Sequence, residues 1–282
     1  MVKKQYLIAG GGLLLVLALF LFGRTDTIKP PVTAPAASKA KSLDINALIA
    51  EEKTHLSPVQ AAALDKIENS ITRGDLITQQ IQVNNQLAGF WKDSGHSFEP
   101  YIFYLSNAAK LDKSEKNLTF AARLTLENIR GEQDEAKLNW KTELAIGLFE
   151  QALQLNPAND DLKVGLGSTY VFGKGKFGGP QETMKGIQQL LEVVRRDSNN
   201  MKAQLVLGVG GFVSGQYDKA IDRLKKVVKA EPENLEAIAF LADAYAAHGD
   251  KAEAIKWYNI SKRMAKDPHY TQEVDERIKS LR

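Results

Sequence analysis

The residues whose types and spacing most suggest chemistry lie at 173–178, where Gly-Lys-Gly-Lys-Phe-Gly fits the string G-x-G-x-x-G. A glycine-rich turn of this kind binds phosphate through backbone amides when a strand precedes it and a helix follows it in a parallel sheet. Here the flanking sequence predicts a preceding helix and no sheet. We therefore interpret the string as an inserted turn between paired helices, with Gly179-Pro180 starting the second helix. A weaker alternative stays open, in which Lys174 and Lys176 bind an anion or a partner's carboxylate near a helix start.

Other groupings typical of catalysis or metal binding are missing from the sequence. The four histidines are His55, His96, His248 and His269. Their spacing to one another and to acidic pairs is not that of metal ligands. The adjacent pair Asp160-Asp161 suits a helix amino terminus, where the macrodipole favours negative charge, better than an acid/base couple. We therefore predict that the protein is not an enzyme and has no metal, no cofactor and no small-molecule substrate.

Start and stop signals along the chain predict helices as the elements that hold these groups. The tetrapeptide Ser-Pro-Val-Gln at 57–60 predicts a helix start, with a capping serine, a proline at the first helical position and a glutamine placed to cap back. We expect that helix to run to Arg73, with Gly74 ending it and Asp75 capping the next one. Because no alternating strand pattern of useful length occurs, we predict an all-α fold of about eleven to thirteen helices.

Residue pairs near the carboxyl end recur at an interval of thirty-four positions. The paired residues are Leu207 and Leu241, Gly215 and Gly249, and Ala220 and Ala254. This period, with these residue types, resembles the tetratricopeptide repeat (TPR) family, whose members stack helix-turn-helix hairpins. The resemblance implies an all-α solenoid of such hairpins with a short amino-terminal helical region. It also implies an extended concave surface that binds other proteins.

The clearest unit of this pattern covers 201–234. Gly208 is a small residue that lets the two helices of the hairpin approach closely, and Pro232 closes the unit. Gly215 ends the first helix, where a residue with positive φ is least costly. The next unit, 235–268, has matching residues at matching positions.

Interrupted units of the same type precede these two. One has its halves around Gly167 and Gly186, separated by about seven extra residues relative to the usual repeat. Another carries a longer insertion at 131–136, and a degenerate unit lies before it. The resemblance therefore covers residues 76–268.

In the TPR family the first helix of each unit lines an inner groove, and the resemblance implies that mainly apolar residues do so here. The implied partner-binding residues are Val164, Ser168, Val171, Phe172, Leu205, Val209, Phe212, Val213 and Asp243. Some family members grip a peptide's terminal carboxylate with groove lysines and asparagines, but the matching positions here hold Val164, Leu205 and Ala239. An apolar groove favours a partner helix or an extended hydrophobic segment. The alternative is that the chain's own helix at 43–49 fills the groove.

The amino-terminal end predicts a membrane anchor. A basic flank at 1–5 precedes an uninterrupted apolar stretch at 6–22, which is at the short limit for a spanning helix. Because no convincing small-residue cleavage site follows, we expect an uncleaved signal-anchor, and a cleaved signal peptide is the alternative. The flanking charges slightly favour a cytoplasmic amino terminus. We therefore expect a single-pass protein of a bacterial inner membrane whose carboxyl-terminal domain is periplasmic.

The remaining segments follow from composition. Residues 23–42 are rich in Pro, Ala, Thr, Ser and Lys, and predict a semi-extended tether. Residues 43–75 predict amino-terminal helices. Residues 269–282 are mostly charged and predict a final helix that covers the end of the stack, as solenoids require.

Charge and repeats together set the expected function. The net charge is only +3 with 25% charged residues, and basic and acidic residues are interspersed, so nothing favours nucleic acid as a partner. We expect a membrane-anchored scaffold or adaptor with a protein or peptide partner. One alternative is an assembly factor for an envelope complex, similar to repeat proteins of cytochrome maturation. The other is an enzyme with an unrecognised site in residues 43–115.

Overall fold

Helices are the regular elements in the part of the chain that the structure describes, namely residues 43–70, 76–177 and 179–282. The structure is a computed structural model, and these residues belong to one compact unit, Lys39–Arg282. Thirteen helices follow one another within the described ranges and pack as hairpins. The all-α solenoid fold that the sequence predicts is therefore confirmed.

We number the helices in chain order. The first six are α1 Ile45–Thr54, α2 Pro58–Glu68, α3 Leu76–Asp93, α4 Phe98–Asp112, α5 Glu115–Gly131 and α6 Glu135–Leu155. Helix α7 runs from Asp160–Thr169 through a π-helical turn, Tyr170–Lys174, into Gly175–Phe177. The last six are α8 Gly179–Arg196, α9 Met201–Val213, α10 Tyr217–Ala230, α11 Leu235–His248, α12 Lys251–Ala265 and α13 Pro268–Leu281.

Helix α2 begins as the sequence predicts and ends earlier. The capping box is present: the Gln60 amide donates to Ser57 Oγ at 3.4 Å, and the Ser57 amide donates to Gln60 Oε1 at 2.9 Å. The helix stops at Glu68 instead of Arg73. Asn69 Nδ2 donates to the Asp65 carbonyl at 2.8 Å, which satisfies an acceptor at the end of the helix and supports the earlier stop. The predicted stop and cap at 73–75 lie outside the described residues.

Asparagines one repeat apart cap the first helices of the last two hairpins. The side chain of Asn200 accepts from the Ala203 amide at 3.0 Å, and that of Asn234 accepts from the Ala237 amide at 3.0 Å. Asn159 caps α7 in the same way, at 3.3 Å from the Leu162 amide. The same residue type at the same phase thus starts three successive first helices, because its side chain satisfies an otherwise unpaired amide.

The glycines that define the repeat adopt the roles that their spacing predicts. Gly215 has φ +75° and Gly249 has φ +96°, in the left-handed region that favours glycine after a helix. A Cβ at Gly208 would lie 2.7 Å from Leu224 Cγ, so α9 and α10 pack at a distance that only glycine allows. The predicted close approach and the predicted helix end are both confirmed.

The two predicted insertions do not form long turns. Helix α7 continues through 173–177, and a π-helical turn at Tyr170–Lys174 absorbs an extra residue. The inserted turn predicted there is therefore wrong up to Phe177, whereas the predicted start of the next helix at Gly179 is confirmed. The insertion at 131–136 is likewise taken up by long helices, since α5 ends at Gly131 and α6 begins at Glu135.

The amino-terminal helices pack at their own end of the stack. Ile49 of α1 and Leu64 of α2 are buried in one apolar cluster with Leu87 and Trp91 of α3. The alternative in which residues 43–49 fill the groove of the later repeats is therefore wrong. At the other end, Val274 and Ile278 of α13 pack onto α12 and cover its apolar face.

Membrane insertion is predicted for a segment outside the described residues. Among the helices of 43–70, 76–177 and 179–282, none combines the length and apolar character that crossing a bilayer requires. The anchor predicted at 6–22 and the tether predicted at 23–42 both lie before this part of the chain.

Candidate functional site

A cleft of about 260 Å³ lies between the first helices of three successive hairpins, α5, α7 and α9. This is the inner side of the stack, where the repeat pattern predicts a groove. The lining combines apolar and small residues with charged ones: Arg123, Leu126, Arg130, Asp161, Val164, Gly165, Ser168, Lys202, Leu205 and Val206. We call this site the inner cleft.

The floor of the inner cleft is apolar. Its hydroxyl group forms a hydrogen bond within its own helix and so is not available to a partner. Ser168 Oγ donates to the Val164 carbonyl at 2.7 Å, one turn earlier in α7. Gly165 brings α7 close to α6, since a Cβ there would lie 2.4 Å from the Phe149 ring. With Leu205 supplied by α9, the floor presents hydrocarbon to whatever enters.

The rim of the inner cleft carries two cations that share one carboxylate. Arg123 Nη2 lies 3.6 Å from Asp161 Oδ2, and Lys202 Nζ lies 3.7 Å from Asp161 Oδ1. Both distances exceed a normal hydrogen bond, and the three side chains are at least half exposed. Exposed ion pairs of this length contribute at most about 1 kcal/mol, so a partner's carboxylate can compete with Asp161 for both cations.

A third cation, Arg130, also lines the inner cleft. Arg130 Nη1 lies 2.7 Å from both carboxylate oxygens of Glu236, which belongs to α11. The Arg130 guanidinium also stacks 4.1 Å from the centroid of the Phe172 ring, in the π-helical turn of α7. The contact joins the first helix of one hairpin to the first helix three hairpins later.

The residues predicted to line the groove lie in three different places in the structure. Val164, Ser168 and Leu205 line the inner cleft, although each is at most 9% exposed. Val171 and Val209 are buried in the core between helices, with Phe172 and Phe212 packed against that core. The Phe212 ring meets the Phe240 ring at 6.0 Å and the Tyr217 ring at 6.2 Å. Val213 is 54% exposed and lines a different cavity, between α8, α9 and α10.

Asp243, the last predicted groove residue, is engaged within the protein. Its Oδ1 accepts from the Tyr258 hydroxyl at 2.5 Å and from Arg277 Nη1 at 2.6 Å. Burial, together with the hydrogen bond to this carboxylate, raises the pKa of Tyr258 above its usual value. Because Arg277 belongs to α13, Asp243 ties the final helix to the last hairpin.

The glycine string is explained by packing in the geometry that the structure shows. A Cβ at Gly173 would lie 2.3 Å from Thr142 Oγ1, and the Gly175 amide donates to carbonyls of its own helix at Tyr170 and Gly173. The Gly175 amide is thus not free to bind phosphate. Of the two lysines proposed for an anion, Lys174 forms an ion pair with Glu143, and Lys176 is exposed.

Sequence reasoning does not identify the charged rim. A signal for it exists in α5, where Arg123, Leu126 and Arg130 recur at three and four positions and share one helix face. Lys202 comes two residues after the asparagine cap of α9. No local pattern reveals that Asp161, on another helix, would lie between Arg123 and Lys202.

Comparison with known proteins agrees with the repeat assignment. Residues 214–272 match the family model described as tetratricopeptide repeat. Cellulose synthase operon protein C of Escherichia coli (strain K12) is 40% identical over 62 residues, which is 22% of this chain and 5% of that protein. The chain therefore corresponds to a small part of this curated relative, and the match concerns a repeat segment.

Among solved structures, TTC0263, a thermophilic TPR protein of Thermus thermophilus, superimposes with a TM-score of 0.50. The match covers 73% of this chain and 98% of that chain at 17% sequence identity. At this identity the likeness shows the fold alone. Residues 214–272 thus match a tetratricopeptide repeat, and the described part of the chain packs as hairpins of the TPR type.

Proposed function

We propose that this protein is a non-catalytic scaffold whose inner cleft binds an extended segment of a partner protein. The observation that carries the proposal is the apolar floor bordered by Arg123 and Lys202, whose shared carboxylate, Asp161, is exposed and held loosely. A segment with an acidic side chain beside an apolar one matches this arrangement. The TPR fold supports it further, because such solenoids present concave surfaces to peptides.

Charge reversal at the rim tests this proposal. In a crosslinked pull-down of the tagged full-length protein from its native membranes, the variant with Arg123→Glu and Lys202→Glu is expected to recover the main partner at least about tenfold less. The reason is that two attractive contacts become repulsive. Mass spectrometry of the recovered proteins, relative to the bait, measures the effect.

A matched double reversal on the outer side serves as control. Lys225→Glu with Lys229→Glu changes two exposed lysines of α10, so it alters net charge equally without touching the cleft. Circular dichroism first checks that both variants remain helical. If both double variants recover the partner as well as the wild type does, the partner binds elsewhere. If both lose it to the same extent, the effect comes from net charge and not from the cleft.

We further propose that residues 6–22 anchor this scaffold in a bacterial inner membrane, with the repeats on the periplasmic side. The support is in the sequence: an uninterrupted apolar stretch, a basic flank before it and a proline-rich segment after it. Alkaline carbonate extraction is expected to leave the full-length protein in the membrane pellet and to release a variant that lacks 6–22. Added protease is expected to digest the repeats in spheroplasts. Protection of the repeats from protease in spheroplasts would contradict the proposed periplasmic orientation. Release of the full-length protein by carbonate would contradict the proposed anchor.

A further inference from the structure

A second and larger cavity, of about 560 Å³, lies between helix α8 and the α9–α10 hairpin. Its walls are mainly apolar, with Met184, Ile187 and Leu191 from α8 and Leu207 from α9. It shares no lining residue with the inner cleft. We call it the outer pocket, and its volume falls in the range of about 300–1,000 Å³ that is typical of small-ligand sites.

The outer pocket exists because α9 has two glycines on the side that faces it. A Cβ at Gly210 would lie 2.7 Å from Ile187 Cδ1, so glycine lets α8 and α9 approach at this level. Gly211 also lines the pocket and has no side chain to fill it. At the mouth, Met184 and Val213 are about half exposed, so the pocket opens to solvent between large apolar side chains.

Two cations of α10, one turn apart, border the outer pocket. Arg223 Nη1 donates to Gln204 Oε1 at 2.7 Å, and Lys219 Nζ donates to Gln216 Oε1 at 2.9 Å. Both acceptors are neutral amides. Within the described part of the chain, neither cation forms an ion pair with a carboxylate.

The positive charge of Arg223, which has no carboxylate partner among the described residues, is also partly buried. Loss of solvent lowers the pKa of its guanidinium, and no carboxylate opposes that shift. The acidic residues of the same helix do not compensate: Asp218 faces His248 at 3.1 Å, and Asp222 is exposed. A partly buried positive charge with only amide partners gains free energy when an anion binds beside it.

We propose that the outer pocket binds a long-chain fatty carboxylate, with the acyl chain against the apolar walls and the carboxylate at Lys219 and Arg223. The charge lies at one edge of an apolar cavity, which matches an apolar body with a single anionic head. The volume of about 560 Å³ is in the range of cavities that hold small organic ligands, which include fatty acids. The lining surface is mainly apolar, which suits an acyl chain better than a peptide backbone, whose amides and carbonyls need hydrogen-bond partners.

Photolabelling in native membranes tests this site with the full-length protein. The probe is an alkyne-tagged fatty carboxylate with a photoreactive group in its chain, and labelled peptides are mapped by mass spectrometry. We expect label on the pocket-lining segments of α8 and α9. Lys219→Gln and Arg223→Gln are each expected to reduce it by about tenfold, because each removes a charge-assisted contact. Met184→Trp, at an exposed position, fills the mouth and is expected to reduce labelling as well.

Controls separate this site from apolar partition and from the inner cleft. Lys225→Gln, an exposed lysine of α10 outside the pocket, and the Arg123→Glu, Lys202→Glu variant are expected to label normally. The matching photoreactive fatty alcohol is expected to label α8 and α9 weakly. Equal labelling by alcohol and carboxylate, or labelling only within 6–22, overturns the proposal. Displacement of the label by a peptide carboxyl terminus but not by unlabelled fatty acid also overturns it.

Discussion

Replacement of Lys141 by methionine is expected to lower the free energy of unfolding by about 3–5 kcal/mol, because it leaves the largely buried Glu132 without its cation and Glu99 with only the more distant Lys137. Lys141 is only 2% exposed. Its Nζ lies 2.8 Å from Glu99 Oε1, 2.5 Å from Glu132 Oε2 and 2.5 Å from Asn128 Oδ1. The cluster joins the start of α4, the end of α5 and the start of α6, so its loss loosens three helices together.

Thermal unfolding followed by circular dichroism measures this effect, with Lys137→Met as the matched control. Lys137 lies one turn earlier in α6, is 35% exposed and reaches Glu99 only at 3.7 Å, so its loss should cost less than about 1 kcal/mol. For Lys141→Met we expect a midpoint roughly 10 °C lower. Adding Glu132→Gln to Lys141→Met should restore part of the loss, since it removes one uncompensated charge. Similar midpoints for the two single variants would contradict the buried-cluster explanation.

At acid pH, the free energies of unfolding of the wild type and of Lys141→Met should differ less than at neutral pH. Burial acts to raise the pKa of Glu132, but the hydrogen bonds from Lys141 and from the backbone outweigh it and hold this pKa below its usual 4.5. A carboxyl with a depressed folded-state pKa contributes stability above 4.5 that is lost as the pH falls through the folded value. In the variant, protonation of Glu132 instead relieves an unpaired charge. If the difference in the free energy of unfolding is the same at neutral and acid pH, Glu132 does not account for the effect of Lys141→Met.

Sequence reasoning misses the role of Lys141. Ala145 and Phe149 of α6 are buried, and Lys141 precedes them by four and eight positions on the same helix face. A lysine in that register is a signal for a buried pair. Its partners are out of reach of the pattern, because Glu99 lies on another helix and Glu132 follows the end of α5.

The same limit explains what sequence reasoning misses at the inner cleft. The repeat period predicts that the first helices of successive hairpins share one surface, because the phase of each helix is a local property; α5, α7 and α9 together line the inner cleft. Arg130 and Glu236 are 106 positions apart, so their contact depends on how the helices between them pack. No short window contains that information, and Tyr170–Lys174 carries no residue that excludes helix. As a result, residues predicted to face a partner, such as Val171 and Val209, are buried in the core.

Replacement of Gly186 by alanine is expected to destabilise the protein by about 1–3 kcal/mol, although alanine is the better helix former. Gly186 of α8 and Gly167 of α7 face each other. A Cβ at Gly186 would lie 2.5 Å from Tyr170 Cβ and 2.8 Å from the Gly167 carbonyl oxygen. Neither atom is the free end of a flexible side chain, so rotation about a side-chain bond cannot relieve the clash. The two helices must separate, and buried contacts such as that of Leu190 with α7 must weaken.

The same substitution at Gly147 is expected to have the opposite sign, which separates packing from helix propensity. Gly147 lies inside α6, and a Cβ there would meet nothing within 4 Å. Alanine at 147 should therefore gain up to about 1 kcal/mol from propensity alone. Thermal midpoints of the two variants, measured under identical conditions, should fall on either side of the wild type. If both variants are stabilised, α7 and α8 separate without cost, and the spacing of this hairpin must be set by its other buried residues instead of its glycines.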